Sequence, residues 1–513
     1  MKRQHRMQSI FRGAAAILAF ASAQAGSDAM AGKADDTLNL VMARETDSVD
    51  RIHTNSRESQ IFSTIIYDTL IYGDPQTGKF SGLLATSWKW VDDTTLEFEL
   101  KPGVKFQNGE AFDADDVVFT TEFVTNPANK LRQQEADFGN IKGVEKLGAQ
   151  KVRVTFKKPD PMALYLFANR LIMWPNDYTA SQGHQIHTSK PIGTGPYALQ
   201  TLTAGKSYRL VRNDAYADGP RPKAAIKTVN ARVIAEVQTQ MAEFMIGQND
   251  LSFDIPAELA ESLTNNPNVA VSYGGSTRYT FLSLNAAGRG GDTPLTNVKV
   301  RQAISHAINR KIIADELARG GSTAINAQCN AAQESCVHDI VGYGFDPQRS
   351  KQLLAEAGYP NGFEIGFQSS ADLKTIGVAI QGYLGAVGIR AKYETFTLPA
   401  WRKNFLDGES AISLLGWGGG GGFSTDYALG IFFDQGTADY ARDAALTDKM
   451  KAASAIMDPK LRGQAYREIL TRINEQAYTV PLFGNGVVYV MSKELNFTPP
   501  KLDSPDLTFT RWK

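Results

Sequence analysis

The side chains able to do chemistry are few, and their spacing decides against most of it. Six histidines occur, and His184 and His187 stand as H-x-x-H. Two imidazoles at such a spacing can share a metal, but these sit in SQGHQIHTSK, a polar stretch that reads as a solvated loop. His306, in a helical pattern beside Arg301 and Arg310, reads as a packing or surface residue. Neither H-E-x-x-H nor G-x-S-x-G is present, so no zinc-protease or nucleophile-elbow signal exists. Gly416, Gly418 and Gly421 satisfy G-x-G-x-x-G after an apolar strand at 411–415, the order that cradles a pyrophosphate. That strand lies late in the chain and Trp417 stands inside the turn, so chance matching in a glycine-dense stretch is the better reading. Cys329 and Cys336 are the only cysteines and lack C-x-x-C spacing. In an oxidising compartment they are expected to form a disulfide loop worth about 2–3 kcal/mol. No catalytic, metal or cofactor site is expected.

The ends and the composition set the compartment. Lys2, Arg3, Arg6 and Arg12 precede an apolar run at 13–23, and no acid occurs before Asp28. A-x-A-like sites follow at Ala23-Gln24-Ala25 and Ala29-Met30-Ala31. The run is about half the ~20 residues of a membrane span, so residues 1–25 read as a secretory signal peptide, cleaved at 25 or as late as 31. No cysteine lies at the cleavage point, so the mature chain is expected free in the periplasm and not as a lipoprotein. The chain has 54 basic and 54 acidic residues; four basic ones leave with the signal, giving 50 against 54, a net of about −4. With no basic patch, nucleic acid is not an expected partner. About 480 mature residues exceed one ordinary core, which predicts two or three domains.

These few residues must be positioned by alternating strands and helices. Trp88 and Trp90, then Leu96, Phe98 and Leu100, alternate with polar residues around Asp92-Asp93. That period of two predicts antiparallel strands joined by an acidic turn. Asp113, with Asp116 three residues on, predicts a capped helix through Val117, Val118 and Phe119. Strands are expected at 38–42, 152–156 and Tyr279–Leu284, and PIGTGPY at 191–197 cannot continue a helix. From Pro294 helices and strands alternate. Asn297 should cap one helix whose apolar face runs from Val300 to Ile312, ending by Gly320-Gly321. Asp346-Pro347 begins another that stops at Gly358. A strand at 363–367, a helix at 375–387 and a strand at 390–396 form a β-α-β unit, which implies parallel neighbours. Helices near 444–456 and 459–476 lead to strands at 479–483 and 487–491.

The segment 84–121 also carries an ordered signature, W-x-x-x-D-D-x-T-L-x-F-x-L-x-x-G-V-K-F-x-x-G-x-x-F-x-A-x-D-V-V-F. It resembles that of the peptide-type extracytoplasmic solute-binding proteins of ABC importers, solute-binding family 5. GTGPY at 193–197, PLTNVKVRQAISHAINR at 294–310, FDPQRSKQLLAEAGYPNGFEI at 345–365 and TVPLF at 479–483 continue the likeness in the family's order. The resemblance implies an α/β, two-lobed periplasmic binding protein fold, type II-like, with an additional inserted domain and a hinge of two crossover strands. Lobe I would take residues 36–55, 190–284 and 486–513, the inserted domain 56–189, and lobe II 285–485. It further implies a monomer that captures a peptide or peptide-like solute between the lobes without making or breaking bonds. The partners would be the permease and ATPase of the inner membrane. A non-peptide solute (an opine, a glutathione-like compound, an oligosaccharide or a metal chelate) is the alternative. A secreted hydrolase rests only on secretion, size and the α/β pattern.

By the same resemblance the strand ending in Gly416-Trp417 lines the ligand cleft, with Trp417 offering a flat apolar face and one N–H donor. Gly418, Gly419 and Gly420 would leave main chain open to close approach by ligand. Peptide-binding relatives carry an aspartate just after the tryptophan for the ligand's ammonium, and an arginine shortly before it. Here positions 418–422 are all glycine, the next acid is Asp426, and Leu414 and Leu415 take the arginine's place. Either Asp426 or an acid of the Glu45-Thr46-Asp47 segment replaces the anchor, or the ligand lacks a free amine there. Arg278 could hold a carboxylate, though a surface role suits it equally, and Trp401 matches a position near the cleft, with core packing as the alternative.

Overall fold

The structure is a computed structural model that describes residues 32–54, 56–132, 134–291, 293–418, 424–501 and 504–513. The signal-peptide segment, Gly419, Gly420 and Gly421 lie outside the described residues. Among those described, no helix is long and apolar enough to cross a membrane.

Two large sheets organise the chain. The first has seven strands, in the order Val269–Gly274, Val487–Ser492, Leu251–Phe253, Thr37–Met42, Thr228–Val233, Ser207–Arg212 and Tyr197–Thr203. Thr37–Met42, buried at every residue, runs parallel to both of its neighbours at the centre. The second has six strands, in the order Thr323–Ala324, Thr479–Gly484, Tyr279–Leu284, Ile412–Trp417, Phe363–Ser370 and Ile389–Phe396. Phe363–Ser370 and Ile389–Phe396 pair in parallel around the helix Lys374–Ala386, as the β-α-β pattern predicts.

Tyr279–Leu284, placed with lobe I from sequence, pairs with Ile412–Trp417 on one edge and Thr479–Gly484 on the other. Its alternation explains the membership: Tyr279 and Phe281 enter one apolar cluster, while Leu282 and Leu284 enter another. Helices Val298–Ala307, Pro347–Glu356 and Lys374–Ala386 cover one face of this sheet, and Thr425–Phe432, Ala444–Ala453 and Pro459–Glu475 the other. The chain therefore passes between sheets twice, at 274–279 and at 484–487.

The hairpin read from alternating tryptophans is present as Ala85–Asp92 and Thr95–Leu100, half of a four-stranded sheet completed by Lys151–Phe156 and Ile141–Gly148. Asp92 closes its turn by accepting from the Thr94 backbone N–H at 2.8 Å. Asp113 and Asp116 form a full capping box on Ala114–Thr125. Leu96, Phe98 and Leu100 drop into the apolar cluster that also holds Leu38, Leu40 and Met42, so this sheet shares its core with the seven-stranded one.

Two further sequence readings change. The helix begun at Asn297 does not run on to Gly320: it ends at Ala307, and Ile308 turns extended (φ −102°, ψ 122°). Asn309 then caps a fresh turn by accepting from the Ile312 N–H, a side-chain alternative that competes with continued helix. The second change concerns the polar loop at 184–188. His187 is fully buried, stacked on Trp174 with ring centroids 4.6 Å apart.

Thr179 spends its hydroxyl proton on the Pro175 carbonyl at 2.6 Å, so His187 donates Nε2–H to Thr179 and accepts the Tyr67 O–H at Nδ1, 3.1 Å away. His184 faces His53 instead, so the H-x-x-H pair is split between different partners. Burial lowers the His187 pKa from the usual 6.5 to about 4, with His53 and His184 adding to the effect and Asp50 opposing it. Because the folded pKa lies below the unfolded one, the unfolded chain binds more protons between these values. This residue therefore costs stability as pH falls from 6.5 towards 4, up to about 3 kcal/mol. Asp116, raised to about 7, and Asp250, raised to about 6, titrate with the opposite sign in that window. NMR is the direct check: the His187 ring should titrate near pH 4, and a midpoint above 6 would contradict this account.

The motif GTGPY is explained by close packing. A Cβ on Gly193 would lie 2.2 Å from the Ile66 carbonyl oxygen, and one on Gly195 would lie 2.5 Å from the Ile66 carbonyl carbon. Thr194 between them donates to the buried Asp68 at 3.0 Å.

Candidate functional site

Trp417 ends its strand opposite Tyr279, half-buried, with its ring edge-on to Phe432 at 5.3 Å and tilted over Tyr427 at 6.3 Å. Its indole N–H finds no acceptor among the described residues. Gly418 has φ +121°, and a Cβ there would fall 2.5 Å from the Arg278 Cα and 2.8 Å from the Thr277 carbonyl oxygen. The space freed at Gly418 is thus filled by the crossover segment. Trp401 is 8% exposed and stacks on Phe405, which stacks on Tyr440, so its ring serves the core.

The remaining expected residues hold partners of their own. Arg278 donates to Asp254 at 2.9 Å, and Arg57 reaches the same carboxylate at 2.6 Å. Desolvation would raise the Asp254 pKa, but the two guanidiniums outweigh it and hold it at about 2. Glu45 accepts from the Gly205 N–H, the Thr46 hydroxyl donates to the Ser48 carbonyl at 2.6 Å, and Asp47 accepts from Thr54 at 2.9 Å. These three lie in the loop after Thr37–Met42 and line none of the cavities described below.

Asp426 does line one. A cavity of about 250 Å³ joins Asp137, Lys158, Asp160, Tyr165 and Arg170 to Ser424, Asp426 and Tyr427. The first group precedes the seven-stranded sheet's strand Tyr197–Thr203 in sequence; the second opens the helix Thr425–Phe432 on the six-stranded sheet. Cavities of about 610 and 520 Å³ elsewhere bring in no residue of the six-stranded sheet or its helices. The junction between the two halves makes the smaller cavity the candidate site.

Its charges are arranged in pairs. Arg170 donates from Nε to Asp137 at 3.0 Å, with both side chains nearly buried. Arg170 ends a π-helical turn, Leu166–Arg170, a geometry that re-aims side chains and recurs at functional sites. The Asp426 carboxyl is raised above the ordinary range, first by desolvation and further by Asp160, against Ser424 and Arg462. A cation placed there would favour its charged form.

The cysteines supply a strut beside the site. Cys329 and Cys336 form a disulfide with Cα atoms 5.7 Å apart. The loop they close carries Glu334, which pairs with Arg462 at 2.8 Å and accepts the Thr425 N–H through its carbonyl at 3.0 Å. Tyr165 reaches the same carboxylate from across the cavity at 3.5 Å. Burial, with Glu334 assisting, pushes the Tyr165 hydroxyl up to about 12, so it stays protonated and can donate.

Residues 79–440 match the bacterial extracellular solute-binding proteins, family 5 Middle. This chain belongs to that family. It is 26% identical over 506 residues to the glutathione-binding protein GsiB of Escherichia coli (strain K12), covering 95% of this chain and 96% of that one. It is 25% identical over 451 residues to heme-binding protein A of Haemophilus influenzae, covering 81% of each. The ABC transporter-associated periplasmic binding protein DppA of Helicobacter pylori, solved with the peptide STSA, superposes with a TM-score of 0.75. It is 24% identical, and the match covers 93% of this chain and 98% of that chain. The two-lobed α/β fold and the solute-binding role implied by the sequence therefore stand.

Sequence reasoning missed Asp137, Tyr165 and Arg170. One signal was available: Arg170 is the only charged residue in the run ALYLFANRLIMW at 163–174. A lone charge in an apolar stretch is expensive unless paired, which points to a special position.

Proposed function

We propose that this solute-binding protein is the periplasmic receptor of an ABC importer for a small peptide or peptide-like solute carrying charges of both signs. The observation that carries this reading is the cavity at the junction of the two halves, where Arg170 and Lys158 face Asp137, Asp160 and Asp426. A zwitterion taken out of water needs partners of both signs, and beside the Arg170–Asp137 pair the cavity offers Lys158, Asp160 and Asp426 to supply them. Asp426 takes the place of the missing aspartate after Trp417, which accounts for the glycines at 418–422 without abandoning an amine-bearing ligand. The lobes divide where the chain crosses between sheets, at 274–279 and 484–487, and closure about these crossings encloses the solute. No bond is made or broken; the loaded protein docks on the permease and ATPase.

Mass spectrometry of small molecules released by denaturing protein purified from the periplasm tests the reading. An intact solute with an amine and an acidic group is the expected result; a neutral solute, or turnover of a captured one, would overturn it. Trp417→Ala should weaken calorimetric binding of that solute about tenfold or more through loss of the aromatic face. Unchanged affinity would remove Trp417 from the site.

A further inference from the structure

A second cavity, of about 80 Å³, lies beside the crossover and is lined by Arg51, Gln60, Tyr72, Asn169, Thr277 and Ser504 among others. Arg51 is 6% exposed, and its backbone N–H is used by Ser63 at 2.8 Å. Its guanidinium has no hydrogen bond or ion pair among the described residues, and Nε is buried without an acceptor. A buried arginine is almost always paired, because an uncompensated charge out of water costs several kcal/mol. Arg221, which also lines this cavity, shows the ordinary solution: its charge is met by Asp68 at 2.8 Å and Asp506 at 3.3 Å.

Arg51 is accompanied by other unspent donors. The Gln60 amide oxygen accepts from Ser504 at 3.3 Å, which leaves its NH₂ facing inward with no acceptor. The Tyr72 hydroxyl, on a residue 4% exposed, also lacks a partner. Residues carrying these three donors line one space together with the paired Arg221 and Asp506, and it is large enough for a carboxylate with attendant water. Burial and the repulsion of Arg170 lower the Arg51 pKa to about 9, with Asp137 and Asp50 opposing, so it remains charged at neutral pH.

We infer that Arg51, Gln60 and Tyr72 form a subsite for a carboxylate group, beside the crossover at 274–279 and separate from the cavity that holds Asp426. The group comes from the captured solute or from a free organic acid; in both cases a planar carboxylate meets the guanidinium fork. The inference rests on the solute-binding reading for its physiological meaning, but its test does not need the imported solute.

Melting temperatures would be compared for wild type, Arg51→Gln and Arg51→Lys at matched ionic strength. The probes are acetate and diglycine, with acetamide and diglycine amide as their neutral counterparts. Saturating acetate and diglycine should raise the wild-type melting temperature by about 2–4 °C, and the two amides should not. Arg51→Gln should lose the response, Arg51→Lys should keep part of it, and ligand-free Arg51→Gln should be at least as stable as wild type. Equal effects of acids and amides, no acid response in wild type, a full response in Arg51→Gln, or a destabilised ligand-free Arg51→Gln would each overturn the subsite. A larger shift with diglycine than with acetate assigns the carboxylate to the solute, and equal shifts assign it to a free acid. A neutral solute released from the periplasmic protein would defeat the import reading while leaving these acetate results intact.

Discussion

Replacing Arg221 with leucine should lower the unfolding free energy by about 3–5 kcal/mol, because it strands two carboxylates in the interior. Arg221 meets Asp68 and Asp506, and all three side chains are at most 7% exposed. Asp68 also accepts from Thr194 at 3.0 Å and Tyr216 at 3.2 Å, so the Asp68–Arg221–Asp506 cluster ties residues 68, 194 and 216–221 to the C-terminal segment. Burial already raises the Asp68 pKa against the pull of Arg221. Without that pull the carboxyl should rise further, and a folded pKa above the unfolded value contributes stability at low pH that is lost as pH rises. The deficit of Arg221→Leu in urea unfolding should therefore shrink at pH 5 and widen at pH 8. A pH-independent deficit would mean that lost packing, and not stranded charge, sets the cost.

Arg170→Met should cost a similar amount, about 3–5 kcal/mol, by leaving Asp137 unpaired at the cavity wall. Asp137 and Arg170 are only 10% and 8% exposed, so solvent does little to replace the lost partner. The double variant Arg170→Met, Asp137→Asn removes both charges and should recover at least half of that loss. A double-mutant cycle reads the difference as coupling between the pair. Additive losses would show that each residue acts through its other neighbours. The same cycle measured on solute affinity separates a binding role from a structural one: a structural pair changes stability and leaves affinity where it was.

How much of this was legible depends on how local each feature is. The tryptophan hairpin, the Asp113 capping box and the β-α-β unit were readable because each is set by neighbours a few residues apart. The split after Ala307 was not, since Asn309 fits a helix interior and a new cap about equally well from sequence. His187 shows the same limit more sharply: a polar neighbourhood in sequence became a buried stack because Trp174 and Tyr67 arrive from elsewhere. Trp417 could be placed at the end of its strand from sequence, whereas the partner of Arg278 could not, because Asp254 lies just past another strand's end.

The sequence by itself determined the family, most of the secondary-structure order and the disulfide, since each is written in residues that are near neighbours or keep a fixed order. Only the tertiary structure decided which charges are paired in the interior and which are left over. Asp68 and Arg221 are 153 residues apart, Arg170 and Asp137 are 33 apart, and Arg51 becomes exceptional because Asp50 and Asp137 come near it without bonding its guanidinium. Pairing of buried charges is a property of contact and desolvation, and neither exists until the lobes have packed.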